Sequence, residues 1–189
     1  PLDEDWISDY EREFEGYFRV RKEQEKVAEQ ELKNRPIEPN KMQKEALQNL
    51  ARLRREGEQK ALVISATGTG KTYLAALDVK AVHPRRLLYI AGRQEILKKS
   101  LDSFKRILGC QDEDLGLLSG EGKETQAQYL FATVQTMSKP NILHGFAPDA
   151  FDYILIDEAH HAQASTYRVI VDYFHPQFLL GMTATPERQ

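Results

Sequence analysis

Eight consecutive residues, Ser65-Ala66-Thr67-Gly68-Thr69-Gly70-Lys71-Thr72, have the types and order that hold a phosphate chain. Glycines at 68 and 70 let successive backbone N–H groups turn toward phosphate oxygens, and a helix starting there adds the positive end of its dipole. Lys71 is placed to reach the β- and γ-phosphates, and the Thr72 hydroxyl is a hard oxygen donor for a magnesium ion. Ser65 stands where such loops usually open with glycine. A second constellation, Asp157-Glu158-Ala159-His160, follows the apolar run Tyr153-Ile154-Leu155-Ile156. Its carboxylates therefore emerge at the C-terminal end of a strand, where open α/β sheets bind ligands. An acidic pair at a strand end is by itself commonly a solvated feature. Joined to the phosphate loop, it points to an ATPase site.

The elements around these residues are what such a site needs. The loop closes the apolar stretch Ala61-Leu62-Val63-Ile64, which reads as the first core strand, and leads into Tyr73-Leu74-Ala75-Ala76-Leu77, which reads as helix. Upstream, Met42, Ala46, Leu47, Leu50 and Leu53 mark an amphipathic helix after Asn40. Downstream, strands are expected at 86–91, 115–118, 129–133, 153–157 and 178–182, with helices after the second strand (Ile96 to Ile107) and around 167–174. Alternation of this kind specifies an α/β fold with a mainly parallel sheet and helices on both faces. The turn Ser119-Gly120-Glu121-Gly122-Lys123 follows no strong strand and opens no apolar helix, so it reads as a surface turn.

The first 39 residues differ in character. Trp6, Ile7, Tyr10, Phe14, Tyr17 and Phe18 recur at helical spacing and are followed by a charge-dense stretch from Arg19 to Arg35. Arg35-Pro36-Ile37-Glu38-Pro39-Asn40 then breaks the pattern. This segment is expected to form an N-terminal helical extension and linker ahead of the domain at 40–189, with the aromatic stripe used in packing.

Composition excludes several classes. A hydrophobic share of 41% and a charged share of 29% over 189 residues suit one ordinary α/β domain plus an appendage. No apolar run approaches the roughly 18 to 20 residues that span a bilayer. The acidic start Pro1-Leu2-Asp3-Glu4-Asp5 lacks the basic leader of a signal peptide, and the sole cysteine, Cys110, cannot form an internal disulfide. A cytoplasmic setting is the expectation. The net charge of −3 argues against coating nucleic acid by bulk electrostatics, while leaving room for local contacts with phosphates. Neither His160 nor His161 has the cysteines or further histidines that would complete a zinc set.

With Thr183-Ala184-Thr185-Pro186 added, the chain from Asn40 to Gln189 resembles the first RecA-like domain of superfamily 2 helicases and translocases. Residues 65–72 resemble motif I, Asp157 to His160 motif II in its DEAH form, and Thr183 to Thr185 motif III. The runs 157–162 and 180–186 look most like the bacterial branch that holds restriction-enzyme motor subunits.

The resemblance implies roles residue by residue. The cofactors are ATP and Mg2+. Thr67, Gly68, Thr69, Gly70, Lys71 and Thr72 bind the phosphates. Asp157 holds magnesium through water together with Thr72, and Glu158 orients or deprotonates the attacking water. Gln43 is similar to the adenine-reading glutamine of the Q motif, although Met42 stands where an aromatic often precedes it. His160, Thr183, Ala184 and Thr185 link nucleotide state to domain movement. Arg93 in Ala91-Gly92-Arg93, and Thr133 and Thr136 in Thr133-Val134-Gln135-Thr136, match the places of motifs Ia and Ic, which contact a nucleic-acid backbone without reading bases.

The implied partner is nucleic acid, with DNA favoured over RNA by the branch. Some bacterial members carry a phospholipase-D-like nuclease module upstream. Motifs IV to VI and the arginine fingers of a second RecA-like domain are not among these residues, and an arginine finger contributes roughly 10³ to 10⁵ in rate. The 189 residues alone are therefore expected to bind ATP, hydrolyse it slowly and unwind nothing. Two alternatives stand beside the helicase reading. One is the motor of a type I or III restriction-like complex, which moves along duplex DNA without unwinding it. The other is a nucleotide-dependent protein-interaction module indifferent to nucleic acid.

Overall fold

The computed structural model describes residues 37–65, 68–119, 125–157 and 164–184. The chain separates into two units, Pro1–Glu38 and Pro39–Gln189, and the architecture that follows is that of the second. The expected N-terminal helices and the aromatic stripe from Trp6 to Phe18 lie outside the described residues.

Among the described residues six strands form a single sheet: β1 (Lys60–Ser65), β2 (Leu87–Ala91), β3 (Leu115–Leu118), β4 (Tyr129–Thr133), β5 (Tyr153–Asp157) and β6 (Phe178–Ala184). Their order is β1-β6-β5-β2-β4-β3 and every pairing is parallel. The helices are α1 (Lys41–Arg55), α2 (Gly68–Val82), α3 (Gln94–Leu108), the short α4 (Val134–Met137) and α5 (Pro140–Leu143), and α6 (Ala164–Tyr173). Every residue of the strands β2, β4 and β5 is buried, which explains their continuous apolar lettering: a parallel strand covered on both faces has no solvent side to alternate with.

Residues of alternating parity serve the two faces. Leu88, Ile90, Leu130, Ala132, Ile154 and Ile156 join Tyr167, Ile170 and Phe174 in one apolar cluster. Tyr89 and Phe131 point to the other face, where their rings stack at 5.0 Å and both meet the edge of Phe104 from α3. Gly109 ends α3 in the left-handed conformation, φ 65°, which glycine adopts without a Cβ penalty.

Two expectations change. The strand at Ala61 to Ile64 is not a core strand but the sheet edge among the described residues, with Leu62 58% and Ile64 57% exposed. Its apolar lettering follows from strand propensity and is blind to the strand's place in the sheet. The last strand also runs past Met182 to Ala184, so Thr183 and Ala184 belong to the strand rather than to a loop beyond it.

Beneath the edge, a buried polar cluster ties three elements together. Arg54 of α1 makes a two-pronged ion pair with Asp78 of α2, Nη1 to Oδ1 at 2.8 Å and Nη2 to Oδ2. The Tyr153 hydroxyl of β5 donates to the same Oδ2 at 2.6 Å. The Arg54 guanidinium also lies 4.0 Å from the centre of the Phe178 ring. Burial, then the Asp78 charge, push the Tyr153 phenol well above its ordinary range, so it stays a donor. Removing one partner of such a pair strands the other charge in low dielectric, a loss of about 3–5 kcal/mol. Asp78→Ala is accordingly expected to destabilise the chain by about that amount in urea unfolding. Asp78→Asn, which keeps a polar partner, is expected to lose less.

Candidate nucleotide site

The phosphate loop and the acidic motif meet at the C-terminal edge of the sheet. Strand β1 ends at Ser65, and α2 begins at Gly68, so its first turn is made from the loop's own glycines rather than starting at Tyr73. That helix directs its N-terminal N–H groups at whatever occupies the loop. Lys71 lies in the first turn and is 3% exposed. Among the described residues no carboxylate forms an ion pair with it. A buried ammonium so placed fits a phosphate partner.

Asp157 is the last residue of β5 and is 6% exposed. Its Oδ2 accepts a hydrogen bond from the Tyr89 hydroxyl of the neighbouring β2 at 2.6 Å. The Tyr89 oxygen also lies 3.0 Å from Ser100 Oγ on α3, and the Thr72 hydroxyl is near enough to temper its pKa. Burial first, and then the Asp157 charge, push the Tyr89 phenol well above its usual range. Its proton therefore stays on oxygen and points at the carboxylate. One phenol thus bonds Asp157 of the second motif and has Thr72 of the first near it. A hydroxyl and a carboxylate are the oxygen donors that magnesium prefers, and magnesium keeps most of its remaining positions for phosphate and water. Among the described residues no group of three or more His, Cys, Asp or Glu side chains is placed to hold a metal.

Gln43 sits in the first turn of α1 and closes a capping box with Asn40. Asn40 Oδ1 accepts from the Gln43 N–H at 2.9 Å, and Gln43 Oε1 accepts from the Asn40 N–H at 3.0 Å. Gln43 Nε2 donates to the Gly70 carbonyl at 3.3 Å, which places its amide beside the phosphate loop. Each amide atom keeps capacity for one further bond, one donor and one acceptor.

The other expected residues fall as follows. Thr67, Glu158, His160, His161 and Thr185 lie outside the described residues, as does most of the turn at 119–123. Strand β6 lies between β1 and β5, and Thr183 is level with Ile64 while Met182 is level with Asp157. Strand alternation therefore puts the buried Thr183 on the opposite face of the sheet from Asp157. Arg93 precedes α3, is exposed and makes no capping bond with its side chain. Thr133 and Thr136 are instead buried: Thr133 caps α4 through the Thr136 N–H, and the two hydroxyls bond to each other at 2.9 Å. Burial and the nearby Asp114 push the Cys110 thiol up, in keeping with an inert cysteine.

Tyr89 and Ser100 were missed by the motif search. The available signal was a tyrosine inside the buried aliphatic run Leu87-Leu88-Tyr89-Ile90-Ala91, because a buried phenol needs a hydrogen-bond partner.

A parallel α/β sheet with a phosphate loop after one strand and an acidic motif after another is the architecture of a RecA-like nucleotide-binding domain. A family model described as type III restriction enzyme, res subunit, matches residues 36–188, and the chain belongs to this family. It is 31% identical over 142 residues to the type I restriction enzyme EcoAI endonuclease subunit of Escherichia coli, covering 69% of this chain and 17% of that protein. It is 25% identical over 131 residues to the DNA 3'-5' translocase XPB2 of Sulfurisphaera tokodaii, covering 69% of this chain and 28% of the translocase. The chain thus spans less than a third of either relative. Among solved structures, the UvsW helicase of bacteriophage T4 superposes with a TM-score of 0.63 at 20% identity, over 79% of this chain and 54% of the helicase chain. The chain is a first RecA-like domain of the superfamily 2, restriction-motor type. No helix among the described residues is long and apolar enough to cross a membrane.

The capping box makes a testable contribution to this geometry. Asn40→Ala leaves the Gln43 N–H without its side-chain acceptor and is expected to lower stability by about 1 kcal/mol, read from urea unfolding.

Proposed function

We propose that residues 40–189 are the ATP-binding half of a motor that moves on DNA, and that a second RecA-like domain elsewhere in the protein completes the catalytic cleft. The observation that carries this reading is the buried Asp157, bonded by the Tyr89 phenol, with Thr72 near that phenol and the buried Lys71 preceding Thr72 in the chain. That arrangement gathers a cation for the phosphates and two oxygen donors for magnesium at one point. In this reading Lys71 and the ion offset phosphate charge, with Thr72 and Asp157 holding the ion. Glu158 prepares the water, and Thr67, Gly68, Thr69 and Gly70 cradle the phosphates. The spare donor and acceptor on the Gln43 amide suit the adenine edge and favour ATP over GTP.

His160 and the run Thr183-Ala184-Thr185 would pass the nucleotide state to the second domain. Arg93 is the exposed cation for a DNA phosphate. The pair Thr133 and Thr136 supports that contact by rigidifying the start of α4, and their backbone is what remains for the strand. A nuclease module upstream would suit the same branch. The matched family and the EcoAI subunit favour a second reading, in which the motor pumps duplex DNA through a restriction complex without separating its strands.

The test is ATP hydrolysis by the full-length protein with single-stranded DNA, duplex DNA or RNA added in turn. Stimulation of at least about tenfold by DNA is expected, abolished by Lys71→Ala and by Glu158→Gln. Stimulation by duplex with no strand displacement would select the restriction-type motor. ATP binding indifferent to every nucleic acid would replace the motor with a nucleotide-controlled interaction module. The 189-residue chain alone is expected to bind ATP and turn it over slowly. Rapid turnover by it, lost in Lys71→Ala, would show that no second domain is needed.

A further inference from the structure

We infer that Tyr89 is a positioning residue for the metal-binding Asp157, setting the orientation of its carboxylate and tying it to α3 through Ser100. The inference rests on the reading of Thr72 and Asp157 as the magnesium-binding pair. Tyr89 is fully buried, its ring held between Phe131 at 5.0 Å and Phe104 at 5.4 Å, so the hydroxyl has little freedom to move.

The proton count then fixes the direction of each bond. A phenol has one proton and two lone pairs. The proton goes to Asp157 Oδ2, a short, charge-assisted bond at 2.6 Å. With its proton committed, the phenol oxygen can only accept from Ser100. An Asp157 held at Oδ2 has a defined carboxylate plane. The carboxylate is thereby oriented before any ion arrives. Partners that orient metal ligands in this way typically contribute 10- to 100-fold in metal affinity. Ser100 lies on α3, the helix that Arg93 introduces, so a shift of α3 pulls on the same phenol.

The register explains why this residue can do it. Tyr89 is level with Leu155, two residues before Asp157 on the same face of β5. A side chain leaning along its strand from that position reaches the carboxylate with its para-hydroxyl. A phenylalanine there would fill the same space and carry no such bond.

Tyr89→Phe is the decisive variant, because it removes one oxygen and leaves the ring packing intact. Nucleotide affinity is measured with EDTA, and then as a function of Mn2+, with the bound ion followed by electron paramagnetic resonance. Tyr89→Phe is expected to leave affinity in EDTA within about twofold and to weaken Mn2+ binding to the nucleotide complex by about 10- to 100-fold. Ser100→Ala, which keeps the Tyr89 to Asp157 bond, is expected to weaken Mn2+ in the same sense by a few-fold. Asp157→Asn serves as reference. If it weakens Mn2+ while Tyr89→Phe does not, the positioning role is overturned and the reading of the site stands. If Asp157→Asn has no effect on Mn2+, the reading of the site itself falls. An equal loss in EDTA and in Mn2+ for Tyr89→Phe would mean a structural role only, and would also overturn the inference. Should Tyr89→Phe unfold, the Ser100→Ala result decides the matter by the same comparison.

Discussion

Parallel pairing throughout the sheet is the constraint from which the rest of this molecule follows. Strands that all run one way cannot be joined by tight hairpins, so each connection must cross back, and helices fill the crossings from β1 to β2, β2 to β3, β4 to β5 and β5 to β6. All C-terminal strand ends are thereby collected along one edge. Ser65, Ala91, Thr133, Asp157 and Ala184 end their strands there, although they are spread over 120 positions of sequence. Lys71, Thr72, Asp157 and Arg93 lie on or beside these ends.

Burying a sheet on both faces makes any polar group inside it expensive unless it is bonded. Among the described residues two buried carboxylates lie on the face covered by α2 and α3, and each is met by a tyrosine. Asp78 takes the hydroxyl of Tyr153 together with the guanidinium of Arg54, while Asp157 takes the hydroxyl of Tyr89. The two pairs differ in what else they touch. Asp78 is given a full cation and so is neutralised within the protein, where it locks α1, α2 and β5 into one body. Asp157 receives a neutral donor from Tyr89, which orients its carboxylate.

Helix α1 is held at both ends by this logic. Its N-terminus is closed by the Asn40–Gln43 box, which also presents the Gln43 amide to the Gly70 carbonyl. Its last turn carries Arg52, Arg54 and Arg55 at the negative end of the helix dipole, with Arg54 reaching Asp78. Helix α1 is thus fixed to the helix that begins at the phosphate loop by contacts at each end, and a displacement of one carries the other.

What the sequence alone determined is what local pattern can carry. Glycines and a lysine at fixed spacing define a phosphate loop in any sheet that supplies a strand before it and a helix after it. Continuous apolar runs located β2, β4 and β5, and the amphipathic spacing of Met42, Ala46, Leu47, Leu50 and Leu53 located α1, because these signals depend only on near neighbours in the chain. Tertiary structure alone decided the rest. Nothing in Ala61 to Ile64 says that β1 lies at an edge with Leu62 and Ile64 uncovered, since strand order is set by crossovers and not by strand composition. Nothing in Thr133-Val134-Gln135-Thr136 says that two hydroxyls will satisfy each other in the interior. The link from Tyr89 to Asp157, 68 residues apart, needed the register of β2 on β5, because a period of two assigns a face and only pairing assigns a neighbour.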